Sequence, residues 1–321
     1  MKKVFVLIGI LIAFVSCNTG KNKLILKSST GRINSMLVVI KNSQWNSQVG
    51  TTLKELVNVP VAGLTQPEKQ FRVTQISPEK FNTLFENNRN ILVVGITRKA
   101  TFKIVSNKYA GPQKFITITG KNEADLIARI KLYFDEIKNI FKQNDLALYQ
   151  QKLAKKVWDN KQLLALNKFK MIVPKKYRVV ENTSAFLWLR KHLINDGNLN
   201  ILAYSMPLTN ENLTLSKILS KRDSIGKKYL LGQLPNSYMQ TSYELKPIMT
   251  PYKINGIKAY EIRGIWEVKN DFMGGSFINY SFIDTKNNRV LCLDGFIYAP
   301  NQNKRDYLFE LEAIFKSLKF K

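Results

Sequence analysis

The sequence predicts an α+β fold with two α/β layers, an N-terminal mixed sheet with a long helix and a C-terminal antiparallel sheet packed by helices. Three observations support this class. Short apolar strand patterns alternate with helical ones before residue 120, a long amphipathic pattern follows, and closely spaced strand patterns fill the region after residue 167. Strands followed by a helix that covers them are typical of an α+β layer.

The N-terminal half contains three strand patterns and two short helical ones. The runs 36–40 and 90–96 are rich in Val and Ile, which is typical of strands buried on both faces. The run 114–120 alternates between two sets of side chains and predicts a strand with two different faces. Between these strands, the segments from Trp45 to Leu56 and from Pro78 to Phe85 predict helices.

The longest helical pattern follows Gly120. Asn122 stands at its start and is the predicted N-cap. The pattern allows the helix to continue to about Leu166. Its apolar face is formed by residues at helical spacing, namely Leu126, Ile130, Phe134, Ile137 and Phe141.

The C-terminal half predicts successive antiparallel strands with two helices. The turns at 270–275 and 285–288 contain Gly-Gly and Asn-Asn pairs, which supply the positive φ angles that hairpins need. The strand patterns lie at 169–174, 185–193, 199–207, 259–268, 277–284 and 289–298, and the helical patterns lie at 214–229 and 304–318.

The N-terminal leader predicts export and lipidation. Lys2 and Lys3 precede an apolar run from Val4 to Val15, which is too short to span a bilayer comfortably and has the layout of a secretory signal. The last leader positions resemble the lipobox of bacterial lipoproteins, with Phe14 standing where Leu is usual. This resemblance implies acylation of Cys17; a plain cleaved signal and a chain that is not exported are the alternatives.

The leader and the element patterns together predict four segments. We expect a lipoprotein signal peptide at 1–16 and a lipidated N-terminus with a tether at 17–32. An N-terminal α/β domain follows at 33–166, and a C-terminal antiparallel α+β domain at 167–321.

Cysteine content and charge limit the classes of function. After Cys17 the remaining cysteine is Cys292, so the mature chain forms no internal disulfide, and the apolar run around Cys292 predicts a buried inert thiol. The net charge of +27 is spread over both halves without a run of five basic residues or a nucleic-acid motif. We therefore expect no nucleic-acid partner. Anionic lipid headgroups or acidic wall polymers suit the surface, and a merely solvated basic face is the plainer alternative.

The usual catalytic and metal-binding groups are missing from the sequence. The chain has one histidine, His192, and one thiol after the leader, which cannot form the usual zinc sites. No nucleophile elbow, metalloprotease helix, phosphate-binding loop or dinucleotide fingerprint occurs. We therefore predict no catalytic residue, no metal and no cofactor.

Carboxylates are the remaining candidates for chemistry. Glu261 and Glu267 lie on one predicted strand about 20 Å apart, at roughly 3.3 Å per residue, and cannot form an acid–base pair with each other. Glu261 beside Arg263 predicts a surface ion pair worth about 0–1 kcal/mol. Arg222 and Asp223 predict a helix-face pair or a structural anchor. The candidate cleft or interaction residues are Arg222, Asp223, Tyr238, Glu261, Arg263, Trp266, Glu267 and Asp271.

Five stretches of the chain resemble one family of Bacteroidota lipoproteins, the "domain of unknown function 4837". They are "GLTQPEKQF" (63–71), "NNRNILVV" (87–94), "SKRDSIGKKYLLGQLPNSYM" (220–239), "EIRGIWEVKNDFMGGSFI" (261–278) and "GFIYAPNQNKRDYLFELEAIFKSLKF" (295–320). The resemblance covers nearly the whole mature chain and implies an envelope lipoprotein without a known activity or catalytic residue. The second half also weakly resembles the Mog1/PsbP-like layout, since "FKMIVPKKY" and "EAIFKSLKF" bracket its strands.

Two functions remain in competition. The leading hypothesis is a non-enzymatic binding or scaffolding lipoprotein, held by acylated Cys17 at the outer membrane, with an envelope protein or an anionic glycan or lipid as partner. No acidic cluster follows Cys17, so we expect it to face the periplasm. The alternative is a glycan- or wall-acting hydrolase or transferase that uses carboxylates in a cleft between the halves, lined by the loops at 235–239 and 270–275.

Overall fold

The computed structural model describes residues 26–159, 161, 163, 169–209 and 213–320. The signal peptide, Cys17 and most of the predicted tether lie outside the described residues. Within them the protein is α+β, with a five-stranded sheet in the N-terminal half and an eight-stranded sheet in the C-terminal half. This confirms the predicted fold class. In the described part of the chain, no helix combines the length and the apolar character that crossing a bilayer requires.

The strands of the N-terminal half are β1 to β7. The main sheet has the order β3-β2-β4-β7-β5, with β5 antiparallel to β7 and the other pairs parallel, so it is mixed as predicted. The bounds are β1 (Lys27–Ser28), β2 (Ser35–Val39), β3 (Arg72–Ile76), β4 (Asn90–Ile96), β5 (Thr101–Ser106), β6 (Ala110–Gly111) and β7 (Lys114–Gly120).

The strands of the C-terminal half are β8 to β17. The eight-stranded sheet is antiparallel throughout, with the order β12-β14-β15-β16-β11-β10-β9 and β13 also paired to β14. The bounds are β8 (Phe169–Lys170), β9 (Arg178–Asn182), β10 (Phe186–His192), β11 (Asn198–Pro207), β12 (Met239–Ser242), β13 (Ile248–Ile254), β14 (Ile257–Val268), β15 (Gly274–Asp284), β16 (Arg289–Tyr298) and β17 (Lys319–Phe320).

Two helices that the sequence predicts as continuous are interrupted in the structure. The predicted helix from Trp45 to Leu56 is two helices, because Ser47 caps the second by accepting a hydrogen bond from the Val49 amide. The predicted helix at 78–85 is a 3-10 turn followed by one short helix. The helices are α1 (Asn42–Trp45), α2 (Gln48–Val57), α3 (Thr83–Glu86), α4 (Glu123–Leu153), α5 (Leu215–Tyr229) and α6 (Arg305–Phe315).

Helix α4 confirms its predicted start and corrects its predicted end. The Asn122 side chain accepts a hydrogen bond from the Asp125 amide, as an N-cap does. The helix ends at Leu153 instead of near Leu166. Beyond it, the Trp158 amide donates to the Val173 carbonyl, and the Trp158 indole donates to the Tyr177 carbonyl. The apolar residues after 153 therefore serve the C-terminal core and do not extend the helix.

Each sheet has a core between it and its helices. Helices α2 and α4 cover the N-terminal sheet, and α4 does so with its predicted apolar face. Helix α6 covers one face of the eight-stranded sheet and α5 covers the other. Two of the strands that the sequence did not predict, β5 and β13, contain no buried residue, so their side chains do not show the apolar pattern of a buried strand.

The two halves meet along the start of α6. The Glu68 carboxylate accepts hydrogen bonds from the backbone amides of Lys304 and Arg305. Arg72 Nη2 lies 2.8 Å from Asp306 Oδ2. These contacts come from the loop before β3 and from β3 itself, so the N-terminal half holds the helix that covers the C-terminal sheet. The predicted division into two domains at 166/167 stays a prediction.

Candidate functional site

A cavity of about 220 Å³ opens on the α5 side of the eight-stranded sheet, and we call it the aromatic pocket. Its walls are aromatic and apolar, with one cationic side chain, that of Arg190. Such a combination of apolar walls with few polar groups is typical of small-molecule sites. The lining residues are Trp188, Arg190, Asn198, Leu230, Leu231, Gly232, Gln233, Met239, Trp266, Val268, Met273, Phe296 and Tyr298.

Strand register brings these side chains together. Arg190 on β10 pairs with Asn200 on β11, which in turn pairs with Phe296 on β16. Directly opposed residues of neighbouring strands point to the same face. The row across β10, β11 and β16 therefore forms one wall of the pocket. Trp266 reaches it from β14, and its ring centroid lies 5.4 Å from that of Phe296.

Hydrogen bonds hold the two tryptophans and the arginine in place. The indole of Trp188 and Nε of Arg190 both donate to Oδ1 of Asn200, each at 3.0 Å. The guanidinium carbon of Arg190 lies 4.7 Å from the Trp188 ring centroid, a cation–π contact. The Trp266 indole donates to the Ile297 carbonyl at 3.2 Å.

Arg190 has an unusual electrostatic environment. Burial lowers the pKa of its guanidinium from the ordinary value. Among the described residues, no carboxylate lies within ion-pair distance of Arg190, and Asn200 is its hydrogen-bond acceptor. A partly desolvated guanidinium offers donors in a fork that matches a carboxylate or a phosphate. The pocket therefore presents an uncompensated positive charge beside aromatic faces.

The loops at 235–239 and 270–275 border this pocket. The Met239 amide donates to the Leu230 carbonyl at 2.9 Å, and the Val268 amide donates to the Met273 carbonyl at 2.8 Å. Met239 and Met273 line the cavity. The two loops converge as the sequence hypothesis requires, but the cavity beside them belongs to the C-terminal sheet and does not lie between the halves.

A different cavity, of about 210 Å³, lies between the halves, and we call it the junction cavity. Helix α4, strand β14, helix α6 and the segment before β3 all contribute to it. Two carboxylates, from Glu261 and Glu312, face it together with several cations. Its lining residues are Asn34, Val61, Ala62, Gln70, Phe71, Lys142, Glu261, Arg263, Arg305, Leu308, Phe309 and Glu312.

Both carboxylates of the junction cavity are saturated by cations. Glu312 Oε1 lies 2.9 Å from Lys142 Nζ and 2.5 Å from Lys316 Nζ. Arg263 bridges the two acids, with Nη2 3.1 Å from Glu312 Oε2 and Nε 2.5 Å from Glu261 Oε1. The predicted surface pair of Glu261 and Arg263 is wrong in its setting, because α4 and α6 cover it and leave the Arg263 side chain 10% exposed.

The charge state of these acids limits their chemistry. Burial alone raises the pKa of Glu312, but Lys142, Lys316 and Arg263 together hold it well below 4.5. At Glu261, burial raises the pKa and the neighbouring Arg263 lowers it. The overall result is a lowered pKa. A glycosidase pair needs one carboxyl kept protonated as general acid. The geometry therefore suits an ion-pair anchor between the halves better than an acid–base pair.

Arg222 and Asp223 are structural. The Arg222 side chain is 1% exposed and its Nε lies 3.0 Å from Oδ2 of Asp294. Asp223 Oδ1 accepts hydrogen bonds from the Thr241 amide and hydroxyl, each at 2.7 Å. Of the two alternatives left open by the sequence, the structure supports the anchor, since the two side chains tie α5 to β16 and to β12.

Tyr238, Glu267 and Asp271 lie together near the end of β14. The Tyr238 carbonyl accepts a hydrogen bond from the Lys269 amide at 2.9 Å. Glu267 Oε1 accepts from the Gln240 amide group at 2.8 Å, and Asp271 Oδ1 accepts from the Phe272 amide at 2.7 Å. Each acid thus has a local structural partner.

The remaining sequence candidates occupy other parts of the fold. His192 is exposed at the end of β10. Cys292 is fully buried on β16, as predicted, and burial raises the pKa of its thiol to about 12. Cys17 lies outside the described residues. The described part of the chain contains no cluster of three or more groups that could hold a metal ion.

Sequence reasoning found Trp266 and missed the other side chains of the aromatic pocket. Trp188, Arg190, Phe296 and Tyr298 come from two strands that are distant in sequence. Their alternation is visible in the sequence, and it indicates that Trp188 and Arg190 share a face. The pairing of β10 with β11, and of β11 with β16, is not visible there, and this pairing brings the residues together.

Two family models match this chain. The model described as domain of unknown function DUF4837 matches residues 156–317, which is half of the chain, and the model of domain of unknown function DUF8532 matches residues 29–154. The sequence resemblance extends the first family over nearly the whole mature chain, and its model matches residues 156–317. The N-terminal half instead matches the second model. No curated protein matches the sequence.

Solved structures with a similar arrangement include three proteins of low identity. The Ran-binding protein Mog1p of Saccharomyces cerevisiae is 6% identical with a TM-score of 0.32, over 48% of this chain and 90% of that chain. LpqN of Mycobacterium tuberculosis, described as involved in cell envelope biogenesis, is 14% identical with a TM-score of 0.30, over 48% and 83%. A protein of Bacteroides thetaiotaomicron VPI-5482 is 12% identical with a TM-score of 0.25, over 48% and 45%. All three TM-scores are low, so these likenesses do not support an inference about activity.

Proposed function

This chain belongs to the DUF4837 family of unknown function, and we propose that it is a non-enzymatic binding lipoprotein of the bacterial envelope. Its ligand site is the aromatic pocket. The observation that carries this proposal is Arg190, a partly buried guanidinium without a carboxylate partner among the described residues, set against the Trp188 ring.

The chemistry of the pocket selects a class of ligand. A cavity of about 220 Å³ holds a single-ring molecule. The flat faces of Trp188 and Trp266 suit the apolar face of a ring, and the Arg190 fork suits a carboxylate on that ring. An acidic sugar unit, as found in anionic glycans, combines both features.

The proposal includes the address of the protein. Lys2, Lys3, the apolar run to Val15 and Cys17 have the layout of a lipoprotein leader. The acylated Cys17 holds the protein on membrane lipid at the outer membrane, facing the periplasm. Protease treatment of intact cells tests this orientation: a periplasmic protein survives, and loss of the protein would place it on the cell surface.

A binding measurement tests the pocket. The chain from Asn18 onward contains every described residue, and two of its tryptophans line the cavity. We expect the tryptophan fluorescence to change on titration with D-glucuronate, and not with D-glucose, which has the same ring without the carboxylate. Arg190→Gln should abolish the response, and Arg98→Gln, at an exposed position of the N-terminal half, should leave it intact. Equal responses to both sugars would contradict an anion-reading site.

One observation favours a second function, a glycan- or wall-acting hydrolase or transferase. Glu261 and Glu312 line a single cavity and both lie near Lys316, at 3.8 and 2.5 Å from its Nζ. Incubation of the protein with purified peptidoglycan tests this alternative. Release of soluble fragments that is lost in both Glu261→Gln and Glu312→Gln would establish the enzyme and displace the binding hypothesis.

A further inference from the structure

Two neighbouring loops at one end of the eight-stranded sheet expose large apolar side chains, and we call them the tip. The tip consists of the loop 231–238 and the turn 269–273. Phe272 is 108% exposed, Leu231 is 71% exposed and Leu234 is 52% exposed. Clustered apolar side chains on a surface mark a site of interaction with a partner or a membrane.

The tip is an ordered part of the fold. In the first loop, the Gly232 amide donates to the Ser237 carbonyl at 3.0 Å, and the Ser237 hydroxyl donates to the Leu234 carbonyl. The Lys269 amide joins the second loop to the first by donating to the Tyr238 carbonyl at 2.9 Å. Phe272 is therefore presented outward by two loops that are tied to each other.

Two lysines lie beside Tyr238 of the tip. The ammonium groups of Lys227 and Lys269 lie 5.7 and 5.6 Å from the centroid of the Tyr238 ring, and Lys228 is exposed beside Lys227 at the end of α5. The acids nearby are Asp271 and Glu267, and each accepts a hydrogen bond from a local donor. The local balance is positive, in keeping with the net charge of +27.

We propose that the tip docks on an anionic lipid bilayer. Phe272, Leu231 and Leu234 enter the region between headgroups and acyl chains, and the lysines contact the anionic headgroups. Apolar side chains flanked by Lys and Tyr are the composition of interfacial membrane anchors. A projecting apolar side chain can insert into a bilayer without a cavity of matching shape. The tip borders the aromatic pocket and shares Leu231 with it, but the proposed membrane contacts do not involve Arg190.

Vesicle co-sedimentation tests this surface without the lipid anchor. The chain from Asn18 onward lacks Cys17, so any binding comes from the folded protein. We expect it to sediment with vesicles of phosphatidylethanolamine and phosphatidylglycerol and to remain in solution with phosphatidylcholine vesicles. Raised salt should weaken the binding, because screening reduces the attraction between lysines and headgroups.

Matched variants locate the binding to the tip. Phe272→Ser removes the fully exposed ring and should weaken binding about tenfold. Leu132→Ser changes a side chain on α4 that is 71% exposed and should leave binding unchanged. The double variant with Lys227→Glu and Lys269→Glu should abolish the preference for anionic vesicles.

Three results would overturn the proposal. They are equal binding to both kinds of vesicle, equal effects of Phe272→Ser and Leu132→Ser, and no binding to either vesicle. Arg190→Gln separates this proposal from the ligand pocket, since that variant should bind vesicles normally while losing the response to glucuronate.

Discussion

Nε of Arg222 lies 3.0 Å from Oδ2 of Asp294, and both side chains are buried at the centre of the C-terminal sheet. The guanidinium also stacks over the Phe277 ring, with 3.9 Å from its central carbon to the ring centroid. Asn279 donates to the same Asp294 oxygen at 3.0 Å. Helix α5 is thus joined to the sheet by an ion pair that has no access to water.

Removing one partner of this ion pair should destabilise the protein more than replacing both partners with apolar residues. Asp294→Ala removes the close partner of the buried Arg222 and leaves only the longer contact of its Nη1 with Asp223 Oδ1, at 3.9 Å. We expect the free energy of unfolding to fall by about 3–5 kcal/mol. The double variant with Arg222→Met and Asp294→Leu should recover most of that loss. Urea unfolding measures both, and Arg98→Met at an exposed position should stay within about 0.5 kcal/mol of the parent. A double variant as unstable as Asp294→Ala would argue that shape, not charge, decides the site.

Glu312 should make the stability depend on acid. Its pKa in the folded protein lies well below its unfolded value of 4.5, because Lys142, Lys316 and Arg263 outweigh the effect of burial. The contribution of Glu312 to the free energy of unfolding is therefore present above pH 4.5 and is lost as the pH falls below that value. Glu312→Gln should lower the free energy of unfolding at pH 7 and flatten its decline below pH 4.5. Glu136→Gln, at an exposed position, serves as the control. If the stability of Glu312→Gln fell below pH 4.5 as steeply as that of the parent, the acid dependence would not come from Glu312.

Gly226 should not tolerate a methyl group. A Cβ there would lie 2.0 Å from the Met239 carbonyl oxygen, because α5 packs closely on the backbone of β12. Alanine in place of glycine usually stabilises a helix by about 1 kcal/mol. Here we expect Gly226→Ala to destabilise the protein by about 1–3 kcal/mol in thermal or urea unfolding. Ser220→Ala, exposed on the same helix, should be neutral or slightly stabilising, and equal behaviour of the two variants would contradict the close contact.

The Cys292 thiol should be unreactive in the folded protein. Burial raises its pKa to about 12, and the thiolate is the reactive form. In the chain from Asn18 onward, we expect no reaction with Ellman's reagent at pH 8 until denaturant is added, and then one thiol per chain. Rapid modification before unfolding would show that this part of the sheet opens readily.

Cys17 should be essential for attachment to the membrane. The thiol is the group that becomes the thioether, so Cys17→Ser should accumulate as an unprocessed precursor that incorporates no labelled palmitate. Cys292→Ser is the matched control and should be labelled and processed normally. Normal labelling of the Cys17 variant would rule out the lipoprotein leader.

The predicted secondary structure was most accurate where local signals were strong. The bounds of β4 (Asn90–Ile96) and β7 (Lys114–Gly120) match the predicted runs, and Asn122 caps α4 as expected. Strand β13 was missed because it contains Pro251, lies at an exposed edge and shows no buried face. The end of α4 was misplaced because its later apolar residues pack on the other half of the protein.

The candidate site was predicted less well, for the same reason. Trp266 was chosen from a distinctive stretch of sequence, but its partners Trp188 and Phe296 come from separate strands. Glu261 and Arg263 were predicted on one strand face, which is correct, and as a surface pair, which is wrong. What converts them into a buried network is Glu312, a residue about fifty positions away in sequence.

The sequence by itself determined the α+β class, the main elements and the burial of Cys292, because periodicity, capping and apolar runs act between neighbouring residues. It also predicts a lipoprotein leader at residues 1–16 and acylation of Cys17. The tertiary structure alone decided which charges are paired and which remain free. Arg222 and Arg263 form ion pairs with carboxylates that are distant in sequence. Arg190 instead donates to an amide oxygen and lies against aromatic rings. Such contacts depend on the order of strands and on the helices that cover them, and no local pattern carries that information.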